Sequence, residues 1–246
     1  MQSPDPQRNL CAVELVRRAE NGPGQIEQPK YYGLQGGCLS VPWVRQGRPA
    51  SLAEIDSQDA SLAAWARATG NYLDFGILTE LSALADFEFK GNEHNVMAFI
   101  KRSNPFVIRW TKLDMFGLPG RTPDEYLQRW RLQNVAFPDT AATFLGYTMN
   151  ARGNGVILTS QRYFEGTKKS QRVIDLAFAK LGFERIAGGE PSYRNAASGV
   201  EIHDAKPDNV IFDKAGNMHP FDVWINDSND SFGLLADYPP PAPESL

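Results

Sequence analysis

Between Glu201 and Asn226 the sequence reads EIHDAKPDNVIFDKAGNMHPFDVWIN, and four of its side chains, Asp204, Lys206, Asn209 and Asp222, are of the types that phosphoryl transfer uses. That chemistry needs cations positioned on the phosphates, a carboxylate near the attacking hydroxyl and hard oxygen ligands for Mg²⁺. Asp204 and Asn209 lie five apart across a loop, so both can face one cleft. A hairpin turning at Lys214-Ala215-Gly216 can bring Asp222 back to the same mouth. Taken singly, Asp and Asn are ordinary turn residues near Pro207 and Gly216. Taken with Lys206-Pro207 and both spacings, they are expected to form one nucleotide and metal site.

The elements that must position these residues follow from periodicity. Leu10 to Ala19 is a helical candidate in an otherwise loop-rich start, where Gly22-Pro23-Gly24, Gly36-Gly37, Pro42 and Pro49 are scattered. Ser61 to Ala68 reads as a helix carrying Leu62, Trp65 and Ala66 on one face and closed by Gly70; a second short helix runs through Leu78 to Ala85. Extended segments follow at Val96 to Ile100, Phe106 to Thr111, Thr143 to Met149 and Val156 to Thr159, the last two joined by a hairpin through Ala151 to Gly155. Thr122-Pro123-Asp124-Glu125 supplies an N-cap, a proline at the first helical position and a Glu three residues on, opening a helix to about Asn134 with Tyr126, Leu127 and Trp130 inward. A helix from Lys169 to Leu181 sets Val173, Ala177 and Leu181 four apart, with Ile174 and Phe178 beside them, and stops at Gly182. Val200 to His203, Asn209 to Asp213 and Met218 to Ile225 are extended, the last two forming a hairpin. Pro239 to Pro243 reads as a polyproline-like tail.

Composition narrows the function classes. The chain has 246 residues, 42% of them hydrophobic, enough to bury a substantial core. With 25 Lys+Arg against 29 Asp+Glu the net charge is -4, so bulk affinity for nucleic acid is not implied. A weaker reading as a nucleic-acid factor would rest on Arg129, Arg131, Arg152, Lys168 and Lys169 as surface cations. No apolar run reaches the ~20 residues a membrane span needs, and the polar start is unlike a signal peptide, so a cytoplasmic protein without membrane partner is expected. Cys11 and Cys38 lack the spacing of a zinc or redox pair, and His94, His203 and His219 are too dispersed for a zinc motif.

Asp204-Ala205-Lys206-Pro207-Asp208-Asn209 resembles the D-x-K-P-x-N catalytic loop of the protein-kinase-like superfamily, with the 13-residue interval to Asp222 suiting its metal-binding aspartate. Gly91 to Val96, Val107 to Thr111, Glu125-Tyr126-Leu127 and Thr159-Ser160-Gln161 extend the likeness, and the span from Ser61 to Ile225 is similar to the serine/threonine kinase-like domain of phage and mobile-element polyvalent proteins. The resemblance implies an α+β, two-lobed kinase-like fold: an N-terminal extension (1–60), helices plus a β-rich N-lobe (61–160), a strongly reduced C-lobe (161–235) and a Pro-rich tail (236–246). It implies ATP and Mg²⁺ as cofactors. Asp204 would orient or deprotonate the acceptor hydroxyl, Lys206 would neutralise the transferring phosphoryl group, and Asn209 and Asp222 would hold Mg²⁺. Arg109 would stand where the family has a phosphate-binding lysine, Glu125 would pair with it, and Ser160, Gln161 and Tyr163 would line the adenine hinge.

The sequence also departs from that pattern. Ile202 replaces the histidine two before the catalytic aspartate, Asp222 is followed by Val223-Trp224 with no glycine, and the 24 residues after Asp222 (246 minus 222) are too few for an activation segment. Arg109 spreads its charge over a bulkier planar fork than lysine, with Lys112 as a substitute, and its other reading is a surface charge on a strand. Glu125 has a competing role as the third residue of a capping box, and Gly91 to Val96 is equally an ordinary turn, with Glu93 and His94 available there. Two functions follow: a divergent ATP-dependent phosphotransferase with a small-molecule, protein or self acceptor, or a pseudokinase-type binding module.

Overall fold

The computed structural model describes residues 11–21, 50–90, 94–112, 122–150 and 152–227. The expectations placed on Cys38, on Gly91 to Glu93 and on the Pro-rich tail lie outside those residues, as does most of the N-terminal extension. The chain is a mixed α+β protein. It divides into two units, 1–127 with 142–163 and 128–141 with 164–246, and each is described by itself.

The first unit carries α1 (Ala12–Asn21), α2 (Leu52–Thr69), α3 (Ile77–Leu84) and a five-stranded antiparallel sheet. Its strands are β1 (Phe87–Lys90), β2 (His94–Phe99), β3 (Phe106–Thr111), β4 (Ala142–Met149) and β5 (Gly155–Arg162), in the order β1-β2-β3-β5-β4. The segment α4 (Pro123–Ala136) is inserted between β3 and β4 and begins in this unit. Because neighbouring side chains on a strand point to opposite faces, Phe106 and Ile108 join Leu15, Leu73, Leu81, Met97, Phe99 and Leu158 in one apolar core, while Val107 and Arg109 face the other way. Helix α2 starts earlier than the Ser61 expected from periodicity. Ser51 is its N-cap, with a complete capping box to Glu54, and Gly70 closes it in the left-handed region at φ 71°. Within it Leu62 and Ala66 are buried, and Trp65 meets Phe144 edge to face.

The β4–β5 hairpin forms as expected but longer, and Asp59 of α2 pins it by accepting from the Tyr147 hydroxyl (2.9 Å) and from the Gly155 N–H (3.1 Å). A side chain at Gly155 would place its Cβ 1.9 Å from Asp59 Oδ1, so only glycine permits this closure. Burial, and then the Asp59 charge, raise the Tyr147 hydroxyl well above its ordinary value.

The second unit holds the rest of α4, a 3-10 turn at Pro138–Thr140, α5 (Gln171–Lys180) and two small antiparallel sheets. Strands β6 (Glu184–Ile186), β7 (Ser192–Arg194), β8 (Val200–His203) and β11 (Trp224–Asp227) pair in the order β11-β8-β7-β6; β9 (Val210–Phe212) and β10 (Met218–Pro220) form a separate ribbon. The single extended run expected from Met218 to Ile225 is thus two strands in two sheets. Leu132, Ile174, Phe178, Tyr193, Ile202, Val210 and Val223 are among its core. The buried face of α5 is that of Ile174 and Phe178. Val173 (38% exposed) and Leu181 (54%) point outward: of the two adjacent apolar rows that the sequence offers at 100° per residue, the one with the aromatic ring takes the core.

Candidate phosphoryl-transfer site

The loop between β8 and β9 carries Asp204 to Asn209, and its conformation is fixed from several sides. The Ala205 N–H donates to the Pro191 carbonyl at 3.0 Å, its own carbonyl accepts from Gln171 Nε2 of α5 at 3.2 Å, and its methyl is fully buried. With Ala205 anchored inward, Asp204 and Lys206 on either side point elsewhere. Asp204 lies at φ 56°, the one non-glycine residue in the left-handed region among the described residues. That backbone costs about 1–2 kcal/mol relative to the right-handed form, least for Asp and Asn, and is sustained by surrounding bonds.

Those bonds run to Lys206 and Asn209. Lys206 Nζ lies 2.9 and 3.0 Å from the two Asp204 carboxylate oxygens. Asn209 Nδ2 donates to the Asp204 backbone carbonyl at 2.8 Å and to its Oδ2 at 2.7 Å. Two acceptors on that side fix the amide's orientation and turn Asn209 Oδ1 away from Asp204. The β9–β10 ribbon then sets the distance to Asp222. Its register pairs Val210 with Pro220, and beyond the last pair the Phe221 N–H donates to the Asn209 carbonyl at 3.0 Å. Asp222 is the next residue, so the 13-residue interval is the length of this ribbon. The ribbon's turn is held by Asp213, whose carboxylate accepts from the Asn217 N–H (2.8 Å) and Nδ2 (2.9 Å) and meets His219 Nε2 (3.1 Å). These bonds, Asn217 first and His219 next, hold its carboxyl far below the usual range. His219 also stacks on Phe164, and His203 meets Ser192 and Glu201, so both histidines have structural partners.

Asp222 is paired with Arg129 of α4, and sequence reasoning missed this partner. Its side chain is 2% exposed; it meets Asp222 Oδ1, donates from Nε to the Val223 carbonyl at 3.3 Å and lies over the Trp224 ring at 4.3 Å. The surface role given to Arg129 is therefore corrected: a guanidinium is buried where a carboxylate and an aromatic face replace its water. The signal available was Arg129 beside Trp130 on a helix whose neighbours Tyr126, Leu127 and Leu132 are apolar.

The remaining expected residues belong to the first unit. Arg109 is 6% exposed on β3, opposite Val96 and Thr159 in register. Ser160 pairs in register with Ile108 and shares its face; Gln161 pairs with Val107 and so shares the face of Arg109. Tyr163 lies just past β5, 36% exposed, with its N–H donating to the Pro105 carbonyl at 2.9 Å. Glu125 forms the capping box: its carboxylate accepts from the Thr122 N–H at 3.0 Å while its own N–H donates to Thr122 Oγ1 at 3.2 Å. His94 is buried against the Tyr126 ring. In the second unit, Lys168 pairs with Asp208 at 2.6 Å on the surface and lowers that carboxyl's pKa.

The donor set suits Mg²⁺ chemically. Asp204, Asn209 and Asp222 offer oxygen only, and Mg²⁺ is commonly held by one or two carboxylates with phosphate and water completing its octahedron. Among the described residues no group of three or more His, Cys, Asp and Glu gathers as a protein-only metal cage. None of the described helices is long and apolar enough to cross a membrane.

A mixed α+β chain with a strained aspartate, a clamped asparagine and a second aspartate delivered by a short ribbon has the build of a kinase-like domain. Residues 56–226 match the family of serine/threonine/tyrosine kinases found in polyvalent proteins, and the chain belongs to that family. Comparison with curated proteins finds no match, and comparison with solved structures finds none.

Proposed function

We propose that the protein is an ATP-dependent phosphotransferase whose first unit is the β-rich lobe of a kinase-like fold and whose second unit is a reduced C-terminal lobe carrying the catalytic loop. The observation that carries this reading is the pair of hydrogen bonds that Asn209 Nδ2 donates to the backbone carbonyl and Oδ2 of Asp204, which presents the asparagine oxygen on one side and the aspartate carboxylate on the other. Asp204 would accept the proton of an acceptor hydroxyl as its oxygen forms the new bond to the γ-phosphorus. The bond from that phosphorus to the β–γ bridging oxygen breaks, and ADP leaves. Lys206 would move from Asp204 onto the phosphoryl oxygens, where its ammonium offsets developing charge. Asn209 Oδ1 and Asp222 would hold Mg²⁺, which supplies charge neutralisation on the phosphates. On the first unit, Arg109 would contact phosphate and Gln161 and Tyr163 the adenine, with Ser160 supporting the strand from its core face.

The test is a thermal shift with ATP and Mg²⁺ followed by transfer of labelled γ-phosphate to a hydroxyl acceptor or to the chain itself. A ligand that prefers the native state raises its apparent stability, so binding is read independently of turnover. Binding and transfer in the parent, with transfer lost in Asp204→Asn, supports the reading; absence of any nucleotide-dependent shift removes it.

A second reading, a nucleotide- or protein-binding module without turnover, is favoured by Arg129 on Asp222 and by arginine at position 109. It predicts a shift with ATP and no release of γ-phosphate with any acceptor.

A further inference from the structure

Helix α4 is buried nearly all round along Tyr126 to Gln133, and its one buried guanidinium meets the one carboxylate that the proposed function assigns to a cation. From this we infer that Arg129 is a resident counter-cation of Asp222, a positioning residue that holds the carboxylate in place and lowers the affinity of the site for divalent ions. The inference rests on the reading of Asp222 as a metal ligand.

Three observations support it. Arg129 is tied down independently of Asp222, by the Val223 carbonyl and by the Trp224 ring, so the guanidinium stays beside the carboxylate whether or not the latter has another partner. Its side chain is 2% exposed against 28% for Asp222, so the arginine is fixed from within while the carboxylate has an open side toward solvent. The guanidinium's fixed planar fork carries donors only, so Arg129 can bond the Val223 carbonyl from Nε and meet Asp222 from its terminal nitrogen at the same time. A dication approaching the open side of Asp222 meets a carboxylate whose charge is already half answered, and a like charge a few ångströms behind it. For charges of +1 and +2 about 6 Å apart, the repulsion in a water-like medium weakens binding about tenfold. Asp222 is thereby oriented for nucleotide-borne Mg²⁺ without being a strong site for the free ion.

The test is a Mn²⁺ titration of the full chain, read by the electron paramagnetic resonance of free Mn²⁺, with and without a non-hydrolysable ATP analogue. Arg129→Gln and Arg129→Met, the second keeping apolar bulk over Trp224, are both expected to tighten Mn²⁺ binding about tenfold, and whichever folds carries the test. Arg129→Lys, which keeps the charge, is expected to stay within about threefold of the parent. Equal or weaker Mn²⁺ binding in the uncharged variants, with Asp222→Asn still weakening the parent, overturns the inference and leaves Asp222 as a metal ligand. Tighter binding that survives the further change Asp222→Asn overturns the metal assignment itself, and the inference with it.

Discussion

Gln171 of α5 places one side-chain nitrogen against three oxygens: the Ala205 carbonyl of the β8–β9 loop (3.2 Å), the Tyr193 hydroxyl (2.7 Å) and Asp175 Oδ1 (3.2 Å). Tyr193 in turn donates to Asp175 Oδ1 at 2.7 Å, and Arg185 pairs with the other carboxylate oxygen, also at 2.7 Å. Burial pushes the Asp175 carboxyl up, but the bonds from Tyr193, Gln171 and Arg185 hold it below its ordinary value. The backbone between Asp204 and Lys206 is thus secured by a network that lies on α5, β6 and β7.

Gln171→Leu removes the bond to Ala205 while keeping the side chain's bulk. It is expected to cost about 1 kcal/mol of stability, a typical net hydrogen-bond contribution, and to slow phosphoryl transfer on the order of tenfold or more as the loop loosens. Chemical denaturation and initial rates check both. A variant with full activity would show that Pro191 alone suffices to hold the loop.

Asp204→Asn separates chemistry from conformation. Asparagine tolerates the left-handed backbone nearly as well as aspartate, so stability should change by less than about 1 kcal/mol. Transfer should fall on the order of 10²- to 10⁴-fold, because the proposed proton acceptor is gone. Melting curves and transfer of labelled phosphate are the measurements.

The capping box at the head of α4 makes a distinction within Glu125. Glu125→Gln keeps an acceptor for the Thr122 N–H and is expected to leave stability within about 0.5 kcal/mol, whereas Thr122→Ala should cost about 1 kcal/mol. A loss of nucleotide affinity in Glu125→Gln at unchanged stability, read by thermal shift, would assign the carboxylate's charge a role beyond the cap.

Alkaline pH should destabilise the protein through two tyrosines. Burial first, and then Asp59, raise Tyr147; burial first, and then the bond to Asp175, raise Tyr193, both from 10.0. Because the folded values exceed the unfolded one, this contribution is fully present below about pH 10 and is lost as pH rises beyond it, when the unfolded chain ionises first. Melting temperature measured from pH 8 to 11 should fall steeply above 10, and less steeply in Tyr193→Phe. Absorbance at 295 nm should show Tyr147 and Tyr193 ionising above the ordinary tyrosine range, with one late-ionising group fewer in Tyr193→Phe.

Much of this was legible in the residues because local signals and tertiary demands agreed. Thr122-Pro123-Asp124-Glu125 predicts its helix start and forms the expected box; Phe106 to Thr111 and Val200 to His203 are strands with the predicted ends. The start of α2 was missed although Ser51 and Glu54 form a capping box, because Asp56, Ser57 and Asp59 dilute the apolar repeat. Strand β1, exposed at all four residues on a sheet edge, and the three-residue β6 and β7, rich in charge, have no periodicity long enough to read. The chemistry-bearing spacing from Asn209 to Asp222 could be read as a hairpin because Gly216 marks its turn at φ 87°. The Arg129–Asp222 pair could not, since nothing in local sequence links residues 93 apart.

The Trp224 ring beneath Arg129 has a consequence for what could ever regulate this corner of the molecule. With the indole face against it and the Val223 carbonyl accepting from its Nε, the guanidinium is held by two groups besides the carboxylate, so a change at Asp222 alone does not release it. Loosening this corner requires moving the Trp224 ring or the Val223 carbonyl, and with them the start of β11.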